Sequence, residues 1–230
     1  MDGVEEGLWK PVSGFSVTVC LIILTCIAYL MQYIVGTEAF FGKFALQGSY
    51  VFGNEEYYRL ITYMFAHGGI AHLFFNMLNL YFFGNAVEHF FGGVKLAVLY
   101  FLSGIVGGIG SIIYSFMEMM SFFTANGINV EFSTAIKYSE LWNYSVGASG
   151  AILGVSGAFV IIAVCSRNSR MNISPARLVI FILLSLFGGA SDSGIDHGAH
   201  IFGFIAGSII SFIYIVIIRR KLDSEDDYAD

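Results

Sequence analysis

Two short motifs place a serine hydroxyl and an imidazole at the beginning of apolar segments. Ser149 lies between glycines in segment 147–150 (GASG), and His200 opens a second apolar run at 199–218. A serine hydroxyl is a weak nucleophile until an adjacent base takes its proton, and histidine is the usual base. If the two side chains meet, the expected chemistry is acyl transfer, with Ser149 as the nucleophile and His200 as the general base.

A third apolar segment carries an imidazole and an amide, His72 and Asn76, four residues apart. On a helix this spacing places both side chains on one face, so that they can point into the same pocket. An acyl-transfer intermediate requires hydrogen-bond donors for its oxyanion, and the backbone N–H of Ser149 would add a donor near the start of its helix. The alternative is a hydrogen-bonded pair that only holds helices together.

The composition is that of an integral membrane protein. Of 230 residues, 57% are hydrophobic and only 12% are charged, whereas soluble domains carry about a quarter charged residues. The mean hydropathy is +0.74. A net charge of -6 without a basic patch gives no case for nucleic acid, and the three cysteines lie in apolar runs. We therefore expect core-filling thiols rather than a disulfide framework.

Six apolar segments are long enough, or nearly long enough, to cross a bilayer. They lie at residues 15–34, 70–90, 94–117, 146–165, 176–189 and 199–218. The sequence therefore predicts an all-α fold, a polytopic bundle of six transmembrane helices.

The predicted bundle, residues 15–218, is flanked by a short cytoplasmic N-terminus at 1–14 and a cytoplasmic tail at 219–230. The tail ends in acidic residues, and we expect this end to be disordered. Two longer segments connect the spans. Segment 36–67 mixes aromatic and charged residues and is expected to be amphipathic and partly embedded, whereas segment 121–145 is more polar.

Lysine and arginine are distributed unequally between the two sides of such a bundle. Six alternating spans place eight of the 11 on the side of the termini, namely Lys10, Lys95, Arg167, Arg170, Arg177, Arg219, Arg220 and Lys221. The positive-inside rule therefore predicts cytoplasmic termini, and the short ends favour a bacterial-type plasma (inner) membrane. The segments that carry His72, Ser149 and His200 all begin on the opposite side, so these side chains are expected at one depth in the outer half of the bilayer.

Small residues explain how the serine and the histidine could approach each other. Gly150 and Gly154 follow the serine, and Gly203 and Gly207 follow the histidine at helical spacing. Glycines four residues apart allow two membrane helices to pack closely. If these two stripes face each other, the hydroxyl and the imidazole can reach hydrogen-bond distance.

The motifs together resemble those of the rhomboid intramembrane serine proteases in their basic six-helix form. The resemblance covers the chain from the first span to the sixth. The matching segments are 58–59 (YR), 67–76 (HxxxxHxxxN), 84–88 (GNAVE), 147–150 (GASG) and 199–207 (AHxxGxxxG).

The resemblance implies a dyad of Ser149 and His200 without a third acid, and an oxyanion site made of His72, Asn76 and the Ser149 backbone. It implies hydrolysis of transmembrane substrates near the outer face of the lipid bilayer. We expect these substrates to be single-pass transmembrane proteins, and we expect neither a cofactor nor a metal.

Two residues depart from the pattern of the family. Leu153 stands where many relatives have an aromatic residue that supports the histidine ring. Either the ring is held more loosely here, or another aromatic residue such as Phe74 or Phe202 supplies the support. Tyr58 stands where tryptophan is common. Neither departure removes a reacting group.

Other polar residues are expected to have structural roles. Asp196, four residues before His200, could orient the imidazole as a triad acid, but a loop aspartate is more often solvated. His67 is expected to shape the end of its loop or to support the imidazole that follows it. Arg59 is expected to pair with carboxylates of the first loop, and Glu88 to cap a helix or fix a loop at the cytoplasmic end.

Three other classes of function are weaker. A zinc cluster can be drawn from His67, His72, His197 and His200, but no His-Glu-x-x-His is present. Aspartyl chemistry would need paired aspartates, and the predicted spans contain none. A transporter would be expected to show repeat symmetry and polar residues throughout the depth of the membrane, and the sequence shows neither. A non-catalytic binding bundle would leave the serine and histidine without a role.

Segment 188–194 (GGASDSG) directly precedes the histidine segment. Its glycines and small polar residues suit a mobile lid over the site. A plain flexible connector is the alternative.

Overall fold

The computed structural model describes residues 16–131, 134, 144–165 and 195–226, and within them the secondary structure is helical. The α-helices in chain order are α1 (Val17–Val35), α2 (Thr37–Phe44), α3 (Arg59–Thr62), α4 (Ile70–Asn79), α5 (Asn85–Phe91), α6 (Gly93–Ala125), α7 (Ser149–Cys165) and α8 (His197–Asp226).

Helices α1, α6 and α8 are long and apolar enough to cross a membrane, and α7 is a shorter apolar helix. Their large apolar side chains are exposed along the outer faces, for example Ile27, Ile109 and Ile209, as expected for helices that contact lipid. The predicted span at 176–189 and the loop at 188–194 lie outside the described residues. The count of six spans therefore stays a prediction.

Helix α7 is the centre of the bundle. Its residues from Gly150 to Phe159 are all buried, and α6 and α8 pack against it. Glycines, an alanine pair and small β-branched residues make this possible, because a narrow helix can be surrounded on every side at close distance. The first residue of this central helix is Ser149.

The predicted second span, residues 70–90, is one continuous helical path with an irregularity in its middle. Helices α4 and α5 are joined by a π-helical turn, Leu80–Gly84. Gly92 separates α5 from α6. Its φ of +87° is a backbone conformation that favours glycine.

Two helix ends differ from the sequence prediction. Helix α6 continues past residue 117 to Ala125, into the segment predicted to be a polar loop. Helix α8 continues to Asp226, so the expected disorder of the acidic end is wrong for that part of the tail.

The first loop is built around the guanidinium of Arg59, which is 3% exposed. It donates to the carbonyl oxygens of Ala45 and Gly42, each at 2.8 Å. It also pairs with Glu56 at 2.5 Å, which confirms the expected pairing with a first-loop carboxylate. The hydrogen bond from Arg59 holds the pKa of the Glu56 carboxyl below its usual value.

Glu88, in α5, fixes the N-terminal end of α1. Its carboxylate accepts from the Ser16 hydroxyl at 2.8 Å and from the Val17 backbone N–H at 2.6 Å. It also accepts from the backbone N–H and the hydroxyl of Thr18, at 2.9 and 2.6 Å. The first N–H groups of a helix have no partner within it, so this carboxylate caps α1 from another helix. The expected capping role of Glu88 is confirmed.

Candidate active site

Ser149 and His200 lie at hydrogen-bond distance from each other. The Ser149 Oγ and the His200 Nε2 are 2.9 Å apart, within the usual range for such a bond. Ser149 is the first residue of α7, and His200 lies in the first turn of α8 and is only 7% exposed. The structure therefore places a hydroxyl and a potential base together at the corresponding ends of two packed helices.

Direct backbone contact between α7 and α8 allows this short distance. A Cβ atom built on Gly203 would lie 2.1 Å from the carbonyl oxygen of Gly150, and one on Gly207 would lie 1.9 Å from that of Gly154. Any side chain at 203 or 207 would force the helices apart. The two glycine stripes thus face each other at a spacing that only glycine permits.

Tyr63 links three parts of the site, a role that no residue pattern in the sequence indicates. Its hydroxyl donates to the Gly104 carbonyl of α6 at 2.7 Å, and its own carbonyl accepts the Gly147 N–H at 2.9 Å. A short antiparallel bridge between Leu46 and Ser145 adds a second attachment. The first loop therefore holds the segment that leads into the serine.

Asp196 caps α8 and is not hydrogen-bonded to the imidazole. One carboxylate oxygen accepts the Ala199 N–H at 2.9 Å, and the other accepts the Ser145 hydroxyl. The Nδ1 of His200 is buried and has no hydrogen-bond partner among the described residues. This arrangement is that of a serine–histidine pair without a third acid. The expectation of a merely solvated aspartate is wrong, because Asp196 joins the two segments that carry the pair.

His72 and Asn76 converge on Gly147, two residues before Ser149. Gly147 has a φ of +121°. A Cβ atom built there would lie 2.8 Å from the Nε2 of His72 and 3.7 Å from the Nδ2 of Asn76. The Asn76 Nδ2 is buried and finds no hydrogen-bond partner among the described residues. An imidazole nitrogen and an amide group thus border the backbone that leads to the serine, and a residue other than glycine would fill the space between them.

His67 lies beside His72 in the wall of the site. The two ring centroids are 5.1 Å apart at an interplanar angle of 64°. Burial lowers the pKa of His67 to about 3, so its ring is neutral at physiological pH. Its backbone is held by Gln32 of α1, a residue that sequence reasoning missed.

The residues expected to support the His200 ring have their recorded contacts elsewhere. Phe202 packs its ring against Gly110 of α6, and Phe74 is 60% exposed and lies edge-on to Phe75. Leu153 is buried in α7. Support of the imidazole by Phe74 or Phe202 stays a prediction. In the described part of the chain, no three His, Cys, Asp or Glu side chains form a group that could hold a metal ion.

Fold and site together define a class of protein, a helical membrane protein with a buried serine–histidine pair of the serine-hydrolase type. Residues 54–217 match the family model of the Rhomboid domain, and the chain belongs to the rhomboid family. It is therefore a multi-pass membrane protein.

Several curated proteins resemble the chain. It is 31% identical over 164 residues to the rhomboid protease GluP of Bacillus subtilis (strain 168), covering 71% of this chain and 27% of that protein. It is 28% identical over 229 residues to the rhomboid protease AarA of Providencia stuartii, covering 90% of this chain and 75% of that protein. It is also 28% identical to the putative rhomboid protease YdcA of Bacillus subtilis (strain 168), covering 73% of this chain and 72% of that protein. The family and these relatives assign the chain to the serine-type intramembrane hydrolases.

Proposed function

We propose that the protein is an intramembrane serine endopeptidase that cleaves single-pass transmembrane proteins near the outer face of the plasma membrane. The observation that carries this proposal is the 2.9 Å contact between the Ser149 Oγ and the His200 Nε2. The names of the relatives, rhomboid proteases, support the reaction class.

In this mechanism the His200 Nε2 takes the proton of the Ser149 hydroxyl as the Oγ attacks the scissile carbonyl carbon. The imidazolium then gives this proton to the leaving amine as the C–N bond breaks, which leaves an acyl-enzyme. Water, deprotonated by the same imidazole, hydrolyses the acyl-enzyme and restores the serine. No step requires a metal or a cofactor.

The oxyanion of each tetrahedral intermediate would be held beside Ser149, at His72 and Asn76 rather than at His200. The Nε2 of His72 and the Nδ2 of Asn76 border this space, and Gly147 leaves it open. The backbone N–H of Ser149 adds a donor, because the first N–H groups of α7 have no partner within the helix. Preorganised donors of this kind stabilise the developing charge more than water does.

The depth of the site follows from the distribution of charge. His72, Ser149 and His200 lie in the first turns of α4, α7 and α8. Eight of the 11 lysine and arginine residues fall on the opposite, cytoplasmic side of the predicted bundle, together with both termini. The cut is therefore expected near the outer face of the bilayer.

A serine-directed fluorophosphonate probe tests the proposal directly. The native protein in detergent should be labelled, and Ser149→Ala should not. Ser156→Ala is the matched control, because Ser156 is a buried serine of the same helix whose hydroxyl donates to the Ile152 carbonyl. Labelling of a folded Ser149→Ala variant at the native rate would overturn the proposal.

Cleavage of a single-span substrate in liposomes tests the pair as a unit. Ser149→Ala and His200→Ala should each abolish cleavage, and the double variant should be little worse than either one, because residues that act together are not additive. Additive losses would contradict the mechanism.

A further inference from the structure

The outer end of α1 is attached to the wall of the site by a reciprocal pair of hydrogen bonds. The Gln32 side-chain amide donates to the His67 carbonyl at 2.7 Å, and the His67 backbone N–H donates to the Gln32 side-chain oxygen at 3.0 Å. Gln32 is 3% exposed and His67 is fully buried. One side chain thus satisfies both backbone groups of a single residue 35 positions away.

His67 transmits this attachment to the oxyanion side of the site. It lies three residues before the start of α4 at Ile70, and its ring lies edge-on to that of His72 at 5.1 Å between centroids. The N-cap residue of α4 is Gly69, which has no side chain to cap the helix. The start of the helix that carries His72 is therefore held from outside, by the turn at His67.

Packing alone does not account for a glutamine at this position. Thr18, Leu21 and Thr25 share the buried face of α1 with Gln32. Thr25 bonds within its own helix, to the Leu21 carbonyl at 2.8 Å, and makes no demand on another element. A buried primary amide is costly in a membrane unless it is fully bonded. The Gln32 amide is hydrogen-bonded only when the His67 backbone lies where the structure has it. The amide therefore favours one position of the turn at His67.

We propose that Gln32 is a positioning residue for the oxyanion site: it fixes the backbone of His67 and, through the His67 ring, the orientation of the His72 imidazole. The position of α1 then sets the geometry of one oxyanion donor, although α1 contributes no reacting group. This inference rests on the proposed serine-protease function.

A double-mutant cycle separates this role from general stabilisation. Gln32→Met keeps the length of the side chain and removes both hydrogen bonds. Loss of an oxyanion donor costs about 10²–10³ in rate, so a misplaced donor should lower kcat by roughly 10-fold or more, with KM nearly unchanged. In a His72→Ala background the same substitution should change kcat less than about twofold, because the group through which it acts is already gone.

Thr25→Val is the matched control, because it removes a buried hydroxyl from the same face of α1 without touching the His67 turn. It should leave kcat unchanged in both backgrounds. Unfolding midpoints in detergent are measured for every variant, so that the rates refer to folded protein. If Gln32→Met does not fold, the cycle is run with Gln32→Glu, which keeps the acceptor for the His67 N–H and loses the donor.

Two outcomes would overturn the inference while leaving the proposed function intact. One is a full kcat in folded Gln32→Met or Gln32→Glu. The other is an equal loss in the native and His72→Ala backgrounds, which would make Gln32 a stabilising residue only. Failure of the proposed function is recognised separately, by fluorophosphonate labelling that survives in Ser149→Ala.

Discussion

Replacing Gly203 by alanine adds a single methyl group where α7 and α8 touch. That Cβ would lie 2.1 Å from the Gly150 carbonyl oxygen, whereas ordinary van der Waals contacts begin at 3.4 Å, so relief requires a local shift of about 1.3 Å. His200 lies one turn from this contact and Ser149 is adjacent to it. The Oγ–Nε2 distance of 2.9 Å would grow to roughly 4 Å, beyond the range of a hydrogen bond.

The expected result for Gly203→Ala is a large loss of rate with a smaller loss of stability. General-base assistance contributes about 10²–10⁴-fold, so cleavage and fluorophosphonate labelling should both fall within that range. Overpacking of a close helix contact should lower the free energy of unfolding by about 1–3 kcal/mol. Gly42→Ala is the matched control, because a Cβ on that exposed helical glycine meets nothing within 4 Å.

Cleavage of a single-span substrate in liposomes and the unfolding midpoint in detergent are measured on the same preparations. Native rates in a folded Gly203→Ala variant would refute the reasoning, because the backbone contact would then not set the distance between serine and histidine. A loss of stability without a loss of rate would have the same meaning.

Three further predictions concern single side chains. Asn76→Ala should lower kcat by about 10²–10³-fold with little change in KM. Asn79→Ala is the control and should leave kcat unchanged, because its amide is bonded within its own helix. Equal effects of the two substitutions would favour a packing role for both residues. Asp196→Asn should lower kcat less than 10-fold, because this residue caps a helix. Replacing the acid of a serine-protease triad costs about 10⁴-fold in kcat. A loss of that size would indicate that Asp196 acts as a triad acid. Glu88→Ala should lower the free energy of unfolding by roughly 2–4 kcal/mol, because four donors at the start of α1 lose their charged acceptor. Fluorophosphonate labelling per folded molecule should be retained. An unchanged unfolding midpoint in denaturant would contradict the capping role.

The sequence predicted the spans it could read from apolar length and missed features that length does not encode. The described helices begin and end within a few residues of most predicted segments, because continuous apolar runs have clear borders. The sequence places the end of this span at residue 117 and a more polar segment at 121–145, and so misses the extension of α6 to Ala125. The methionines and the glutamate at 117–120 nevertheless favour helix. The π-helical turn at Leu80–Gly84 lies in an apolar run that reads the same for either kind of helix.

The polar residues of the site could be singled out because each is costly in a membrane, but their partners could not. Motif spacing selected Ser149 and His200. Their 2.9 Å contact, however, depends on two glycine stripes that face each other, and one sequence alone does not show which helix faces pack together. Gln32 and Tyr63 escaped notice because they bond to backbone groups distant in the chain. A bond from a side chain to a remote carbonyl leaves no pattern of residue types.

The two attachments of α1 also bear on the order in which the molecule is made. Gln32 is synthesised 35 residues before His67, and Thr18 is synthesised 70 residues before Glu88. At about 5–20 residues per second, α1 waits several seconds in the membrane before its partners emerge. Both attachments can close while α7 and α8 are still unmade. The nascent chain can therefore assemble the proposed oxyanion side of the site before the ribosome has added Ser149, the proposed nucleophile.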